Sequence, residues 1–375
     1  MKIAYIHDVI YPHVKGGAEK RVWEVSRRLA ERGHEVTIFG MKYWDGERVV
    51  EREGVRLCAV CDPMDLYVDG RRSIKAAVRF SSSLLLSFRG EFDVIDAQQF
   101  PYLPCFPAKV HSVLGKTPLV ITWHEVWGDY WREYLGWKGI FGKGIERLAV
   151  RLPDKIIPVS EMVSGDLSAL GVNGEKMEVV ANGVDLRKID SVEAGEPLWD
   201  VIYVGRLSAH KRVDLLIEAV GIVREEISDV KCAIVGDGPE MAGLIQLAQE
   251  LRVEENVEFL GFLDDEDDVI AKMKASRIFV LPSMREGFGI SVLEANACGL
   301  PTVVVDAERS ATTALIKEGV NGVLCDPSAP SMASKMIDLL SGGSYKEMAG
   351  DSKEFARGYD WSDIARKVEG VYERL

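Results

Sequence analysis

The feature that most constrains this chain is an alternation: short runs rich in Val, Ile and Leu are separated by longer segments of helical period. Neighbouring parallel strands need a long crossover between them, so this rhythm dictates stacked βαβ units with a parallel sheet. In the first half the strands read as 2–7, 35–39, 55–60, 93–97, 118–122 and 155–159. In the second half they read as 201–204, 231–235, 257–260, 277–281, 301–305 and 322–325. Helical segments include 18–32, 212–226, 238–251, 290–298 and a last one at 361–375. Two such sets in 375 residues predict two Rossmann-like, doubly wound α/β domains. Ligands are then expected beyond the carboxyl ends of the strands. The boundary is expected near 185–198, where Asp190-Ser191-Val192-Glu193-Ala194-Gly195-Glu196-Pro197 is polar and aperiodic.

Charge narrows the partners. The net charge is −13, yet residues 1–190 hold 27 basic and 26 acidic side chains, leaving 19 basic and 33 acidic beyond them. So acidic a second half argues against a nucleic-acid partner. No apolar run has the length to cross a bilayer, and the start, Met1-Lys2-Ile3-Ala4-Tyr5-Ile6, reads directly as a strand with no cleavable leader. The expected location is therefore the cytoplasm. Cys58 and Cys61 form a lone C-x-x-C inside a β-like run, which reads as buried strand thiols, with no disulfide and no metal.

The segment with the most chemistry is Pro282-Ser283-Met284-Arg285-Glu286-Gly287-Phe288-Gly289-Ile290-Ser291-Val292-Leu293-Glu294-Ala295, between an apolar strand and a helix. Gly287 and Gly289 permit close approach of a ligand, and the amides of Gly289, Ile290 and Ser291 open the helix, where its dipole favours a phosphate. Glu294 lies about one turn further, roughly 6 Å along the axis, which matches the reach from a diphosphate to a ribose. Glu286 lies on the other side of the glycines. A second loop, Val204-Gly205-Arg206-Leu207-Ser208-Ala209-His210-Lys211-Arg212, also follows a strand. Its Arg206 and Lys211 supply fixed positive charge suited to a phosphate-bearing ligand, while Arg212 reads as facing outward.

Glu286-Gly-Phe-Gly-Ile-Ser-Val-Leu-Glu294 resembles the E-x7-E motif of retaining GT-B glycosyltransferases of family 4 (glycosyl transferases group 1). The likeness runs over nearly the whole chain. It implies two Rossmann-like domains with an interdomain cleft: residues 1–187 on the acceptor side, joined by the C-terminal helix 359–375 crossing back, and 188–358 binding the donor. The G-R-x4-K run resembles the family's pyrophosphate clamp, which gives Gly205, Arg206 and Lys211 to the diphosphate. Lys15-Gly16-Gly17-Ala18-Glu19 resembles the family's G-G-x-E loop, placing Gly16 and Gly17 at the diphosphate and Glu19 beside the acceptor. His124, in Thr122-Trp123-His124-Glu125, resembles the histidine beside the transferred sugar. Ala181-Asn182-Gly183-Val184-Asp185 matches an element at the hinge, although its turn chemistry alone explains it.

In Val235-Gly236-Asp237-Gly238-Pro239-Glu240 the resemblance puts Gly236 and Gly238 at the nucleotide and Phe262 near the base, with Phe288, Gly287, Gly289, Ile290, Ser291 and Glu294 completing the donor site. Pro239 reads as the first turn of the following helix. No G-x-G-x-x-G follows the first strand, so a nicotinamide enzyme is not expected. The run Asp264-Asp265-Glu266-Asp267-Asp268 reads as a solvated helix start and not as a metal site. One departure stands out. After Pro301–Val305 the family usually has a glycine pair, whereas this chain has Asp306-Ala307-Glu308-Arg309-Ser310-Ala311.

The resemblance implies transfer of a sugar from a UDP- or GDP-sugar to an acceptor hydroxyl with retention, requiring no further cofactor. Alternatives on the same scaffold are a sugar-nucleotide epimerase, a phosphorylase-like enzyme or a non-catalytic nucleotide-sugar sensor. Residues 71–89 combine Arg71, Arg72, Lys75, Arg79 and Arg89 with Ile74, Val78, Phe80, Leu84–Leu86 and Phe88. Residues 138–152 set Lys138, Lys143, Arg147 and Arg151 beside Ile140, Phe141, Ile145, Leu148 and Val150. Either helix can simply cover the first sheet. Together they suggest peripheral contact with an anionic membrane face and a lipid-linked or envelope acceptor.

Overall fold

A computed structural model describes residues 1–68, 71–195 and 199–375. The expected boundary stretch therefore includes residues 196–198, which lie outside the described residues. The chain forms two compact units, Met1–Asn182 with Trp361–Leu375, and Gly183–Asp360. The division falls inside Ala181–Asp185, a few residues before the expected 187/188.

The first unit contains β1 (Lys2–Ile6), β2 (Glu35–Met41), β3 (Val49–Arg52), β4 (Val55–Cys61), a two-stranded ribbon of β5 (Tyr67–Val68) and β6 (Arg71–Arg72), β7 (Val94–Gln98), β8 (Leu119–Trp123) and β9 (Lys155–Pro158). Its main sheet runs β3-β4-β2-β1-β7-β8-β9. Every pairing is parallel except β3 with β4. The six parallel strands match the expected ones. β3 was not expected: it is an exposed edge hairpin with Glu51 and Arg52 on it, and so lacks the apolar signature of a buried strand. β7 and β8 are buried at every position, as strands covered on both faces must be.

The C-terminal helix Trp361–Tyr372 belongs to this unit. Its Trp361, Ile364, Ala365, Val368 and Val371 recur at helical spacing and join one core with Val22, Val25 and Leu29 of helix Gly17–Glu31. Cys61 is buried and Cys58 half-buried on β4, both as free thiols.

The second unit contains β10 (Trp199–Val204), β11 (Cys232–Val235), β12 (Val257–Gly261), β13 (Ser276–Leu281), β14 (Arg285–Glu286), β15 (Thr302–Val305), β16 (Arg309–Ser310) and β17 (Gly322–Cys325). The sheet order is β12-β11-β10-β13-β15-β17, parallel throughout. All six strands stand where the apolar runs put them. In both units the chain winds outward from the first strand, then returns to its other side, so the strand order reverses at β1/β7 and at β10/β13. Those are the switch points at which the carboxyl ends of adjacent strands diverge and leave a crevice.

Pro239 is a correction. It lies in a turn, and the helix begins at Met241 after Glu240, because the Gly236–Gly238 loop first has to cross the neighbouring loop.

Candidate functional site

The two loops that leave the switch point of the second sheet are the two with the most chemistry. Arg206 and Lys211 follow β10, and Glu286 follows β13, its hydrogen-bonded neighbour. The backbone ties the loops together, Met284 N donating to His210 O at 3.0 Å. The decisive contact is an ion pair: Lys211 Nζ lies 2.5 Å from Glu286 Oε1, with both side chains largely shielded from water. Residues 75 positions apart in sequence thus meet at one point. His210, beside them, has its pKa pushed down to about 4, by burial first and then by Lys211.

Glu286 belongs to β14, which pairs in parallel with β16, Glu286 opposite Ser310. β16 lies in the atypical Asp306–Ala311 stretch, so that stretch is built into the wall behind Glu286. Gly289 then opens helix Ile290–Ala297 with φ +95°, a left-handed conformation that side chains rarely adopt. A methyl at Gly289 would overlap the Thr312 methyl. The turn therefore requires glycine for two independent reasons. The helix presents its first-turn amides at the same end of the sheet as Lys211, giving a cation and a helix start for one anion. Ser291 and Glu294 are partly exposed along that helix. Phe288 does not face outward: it is buried and packs edge-on against Tyr359, 6.3 Å between rings, so only its backbone is available to a ligand.

Gly236 and Gly238 have a structural reason of their own. A side chain at either would collide with the backbone of Gly205 or Leu207, because the 236–238 loop crosses the 205–207 loop, with Leu207 N donating to Asp237 O at 2.9 Å. Phe262, just past β12, is 55% exposed. Arg212 pairs with Asp214. In the acidic run, the Asp265 side chain caps helix Glu266–Lys274, while Glu266 and Asp267 pair with Lys188.

In the first unit, Gly16 is the N-cap of helix Gly17–Glu31 and Glu19 stands in its first turn, its carboxylate folded back against Gly16. Burial raises the Glu19 pKa to about 7. His124 follows β8. Its Nε2 meets Gln98 Oε1 at 2.7 Å, and its backbone N–H donates to Gln99 Oε1 at 2.9 Å. Burial, aided by the Arg21 guanidinium, pushes its pKa down to about 3, so the ring is neutral near pH 7.

Sequence reasoning missed the groups behind these loops. Asp8, at the end of β1, is buried and accepts from Arg72 Nη2 at 2.5 Å. Asp96 and Gln98 on β7 are buried as well. Polar residues in the middle of an otherwise apolar strand were the available signal. Arg72 is also a correction to the basic face expected over residues 71–89: it is turned inward. Phe80, Leu84, Phe88 and Val150 are buried and do not belong to any exposed face.

Within 71–89, Ile74, Val78, Leu85 and Leu86 remain exposed beside Lys75, Arg79 and Arg89, and the other helix has a face of the same kind. Around helix Gly139–Ala149, Trp137 (77% exposed), Ile140, Phe141 and Leu148 all face out. Lys138, Arg147 and Arg151 are exposed beside them. The underside is anchored by Glu146, fully buried, which accepts from Tyr102 Oη, Trp127 N and Gly128 N at 2.7–2.9 Å. No helix among the described residues is long and apolar enough to cross a membrane.

Two families match the chain: glycosyl transferases group 1 over residues 187–357, and glycosyltransferase family 4 over residues 15–188. A phosphatidylinositol N-acetylglucosaminyltransferase subunit of Arabidopsis thaliana is 24% identical over 388 residues, covering 100% of this chain and 82% of that one. The alpha-monoglucosyldiacylglycerol synthase of Streptococcus pneumoniae is 26% identical over 323 residues, covering 81% and 70%. Among solved structures, sucrose-phosphate synthase from Thermosynechococcus elongatus superposes with a TM-score of 0.80 at 19% identity, covering 100% and 98%. Anabaena HepE in complex with UDP-glucose does so with 0.76 at 20%, covering 100% of both chains. The fold of these structures, GT-B, is the fold of this protein. With matches running from residue 15 to residue 357, the chain belongs to the glycosyltransferases of the family 4 type, the glycosyl transferases group 1.

Proposed function

We propose that the protein moves a sugar from a nucleoside diphosphate sugar, carried on UDP or GDP, to an acceptor hydroxyl with retention of anomeric configuration. The observation that carries this reading is the Lys211–Glu286 contact at the switch point, beside the helix start at Gly289. As the glycosidic bond breaks, negative charge grows on the leaving diphosphate, and fixed cations and amides there lower the barrier. Arg206, Lys211 and the amides of Ile290 and Ser291 take that charge. Glu286, oriented by Lys211, holds hydroxyls of the donor sugar, and Glu294 holds the ribose. His124 belongs to the transferred sugar, and Gly16, Gly17 and Glu19 to the diphosphate and the acceptor side. No separate base is assigned, since the leaving phosphate can take the acceptor's proton. The structures of HepE with UDP and UDP-glucose support a nucleotide sugar as donor.

The acceptor is read as lipid-linked or part of the cell envelope. Trp137, Ile140, Phe141 and Leu148 make an exposed apolar stripe flanked by Lys138, Arg147 and Arg151. A stripe of that composition suits the interface of an anionic membrane, where the rings enter the acyl boundary and the cations meet headgroups. The names of the lipid-modifying relatives support the same direction. Thermal-shift screening against UDP-, GDP- and ADP-sugars identifies the donor, because a saturating ligand stabilises the fold. With that donor, Arg206→Ala and Lys211→Ala each lower turnover on the order of a hundredfold. Turnover that stays unchanged in both variants overturns the assignment, and an inverted product overturns retention.

A further inference from the structure

Behind His124 lies a chain of buried polar groups that no catalytic step so far uses. Tyr372 Oη, on the C-terminal helix, donates to Asp96 Oδ2 at 2.6 Å and meets Tyr5 Oη at 2.8 Å. Thr122 Oγ1 donates to the same carboxylate at 3.0 Å. Gln98 Nε2 donates to Asp96 Oδ1 at 3.1 Å. Gln98 Oε1 faces His124 Nε2 at 2.7 Å. Asp96, Gln98 and Thr122 are each 3% exposed or less.

The polarity of this chain is determined. Burial raises the Asp96 pKa to about 6, still below neutral, and at neutral pH the ionised carboxylate only accepts, so Asp96 takes hydrogens from Tyr372, Thr122 and Gln98. Gln98 must then turn its NH2 toward Asp96 and its carbonyl oxygen toward His124. A carbonyl oxygen also only accepts, so the hydrogen between Gln98 and His124 sits on Nε2. The opposite orientation of the amide would set its oxygen against a carboxylate oxygen and its NH2 against the ring, leaving buried acceptors facing each other. No group among the described residues bonds Nδ1 of His124.

We propose that Gln98, itself oriented by Asp96, is a positioning residue that holds His124 as its Nε2–H tautomer with Nδ1 as a hydrogen-bond acceptor. This deepens the proposed function and rests on its assignment of His124 to the sugar. A neutral ring with an acceptor nitrogen takes the hydrogen of a sugar hydroxyl. It sets lone pair against lone pair with a carboxylate, so this position suits a neutral hexose better than a uronate.

The test is NMR of the full chain carrying 15N-labelled histidine, with His124→Gln assigning the signal. At neutral pH the wild-type His124 shows a proton-bearing Nε2, protected from water exchange, and an unprotonated Nδ1. Gln98→Met removes the acceptor, and the protected Nε2–H signal is lost to exchange with water. Gln98→Glu combined with Asp96→Asn keeps an acceptor at Nε2 and lets the residue-96 amide donate to it, which moves the negative charge next to the ring, so Nε2 stays protonated and His124 titrates at higher pH than in wild type. A wild-type Nδ1–H tautomer overturns the proposal, as does a protected signal that survives in Gln98→Met. If Gln98→Met does not fold, an unmoved His124 titration in the Gln98→Glu, Asp96→Asn variant overturns it alone. None of these measurements needs a donor, so failure of the glycosyl-transfer reading, seen as no nucleotide sugar turned over, is scored separately.

Discussion

Gly289→Ala is the substitution whose cost can be worked out most fully from the structure. Gly289 has φ +95° and ψ +58°, and forcing a side chain into the left-handed region costs about 1–2 kcal/mol. The added methyl also meets the Thr312 methyl, on a side chain with no exposure, whose hydroxyl is held by Ser310 Oγ at 2.7 Å. Thr312 cannot swing aside without losing that bond, so overpacking adds about 1–3 kcal/mol. A total of about 3 kcal/mol lowers the melting temperature of a unit this size by about 6–12 °C. Thr312→Ser deletes the methyl, keeps the hydroxyl and costs about 1 kcal/mol through the small cavity left.

The double variant Gly289→Ala with Thr312→Ser separates the two causes. With the clash relieved and the new methyl filling the space, only the backbone cost of about 1–2 kcal/mol remains, so the double variant falls short of the summed single losses of about 4 kcal/mol by about 2–3 kcal/mol. Differential scanning calorimetry of the four proteins measures this. Strict additivity would refute the steric argument. A Gly289→Ala protein that melts with the wild type would refute the conformational one as well.

Two further outcomes are expected. Stability contributed by His210 depends on pH: its folded pKa is pushed down to about 4 from an ordinary 6.5, so the unfolded chain binds the proton first. That contribution is full above pH 6.5 and is lost as pH falls toward 4, so His210→Gln flattens this part of a melting-temperature-versus-pH curve, and an unaltered slope counts against the burial of the ring. The protein sediments with anionic vesicles at low salt, and Ile140→Asp with Phe141→Asp weakens that binding at least about tenfold. Equal sedimentation with neutral vesicles, or with the double variant, excludes the stripe on helix Gly139–Ala149 as the docking surface.

Much of this molecule was legible from sequence because buried parallel strands have a strong signature. Runs such as Ile278–Leu281 and Val303–Val305 have no polar position to blur them. β3 escaped because an edge strand facing water carries Glu51 and Arg52. The E-x7-E segment placed Glu286 and Glu294, since both lie within one loop and helix. Its contact with Lys211 was not legible: it depends on β10 and β13 being neighbours although β11 and β12 lie between them in sequence. Asp96 and Gln98 were missed for a related reason. Their meaning comes from His124 on the next strand and Tyr372 near the end of the chain. The exposed apolar stripe was ambiguous because period alone identifies a helix face without saying whether protein or solvent lies against it. Gly236 and Gly238 were assigned to a ligand, yet the close crossing of two loops already requires them.

The short ladder between Glu286 and Ser310 has a bearing on how such enzymes can diverge or be recombined. Because one rung carries Glu286 and the other belongs to the Asp306–Ala311 segment, the two loops are held together as a single structural unit. A chimera that imports the glycine pair alone would disturb the rung to Glu286 and, through Thr312, the packing at Gly289. Exchanging residues 282–289 and 306–312 together is the smaller disturbance, although more positions change.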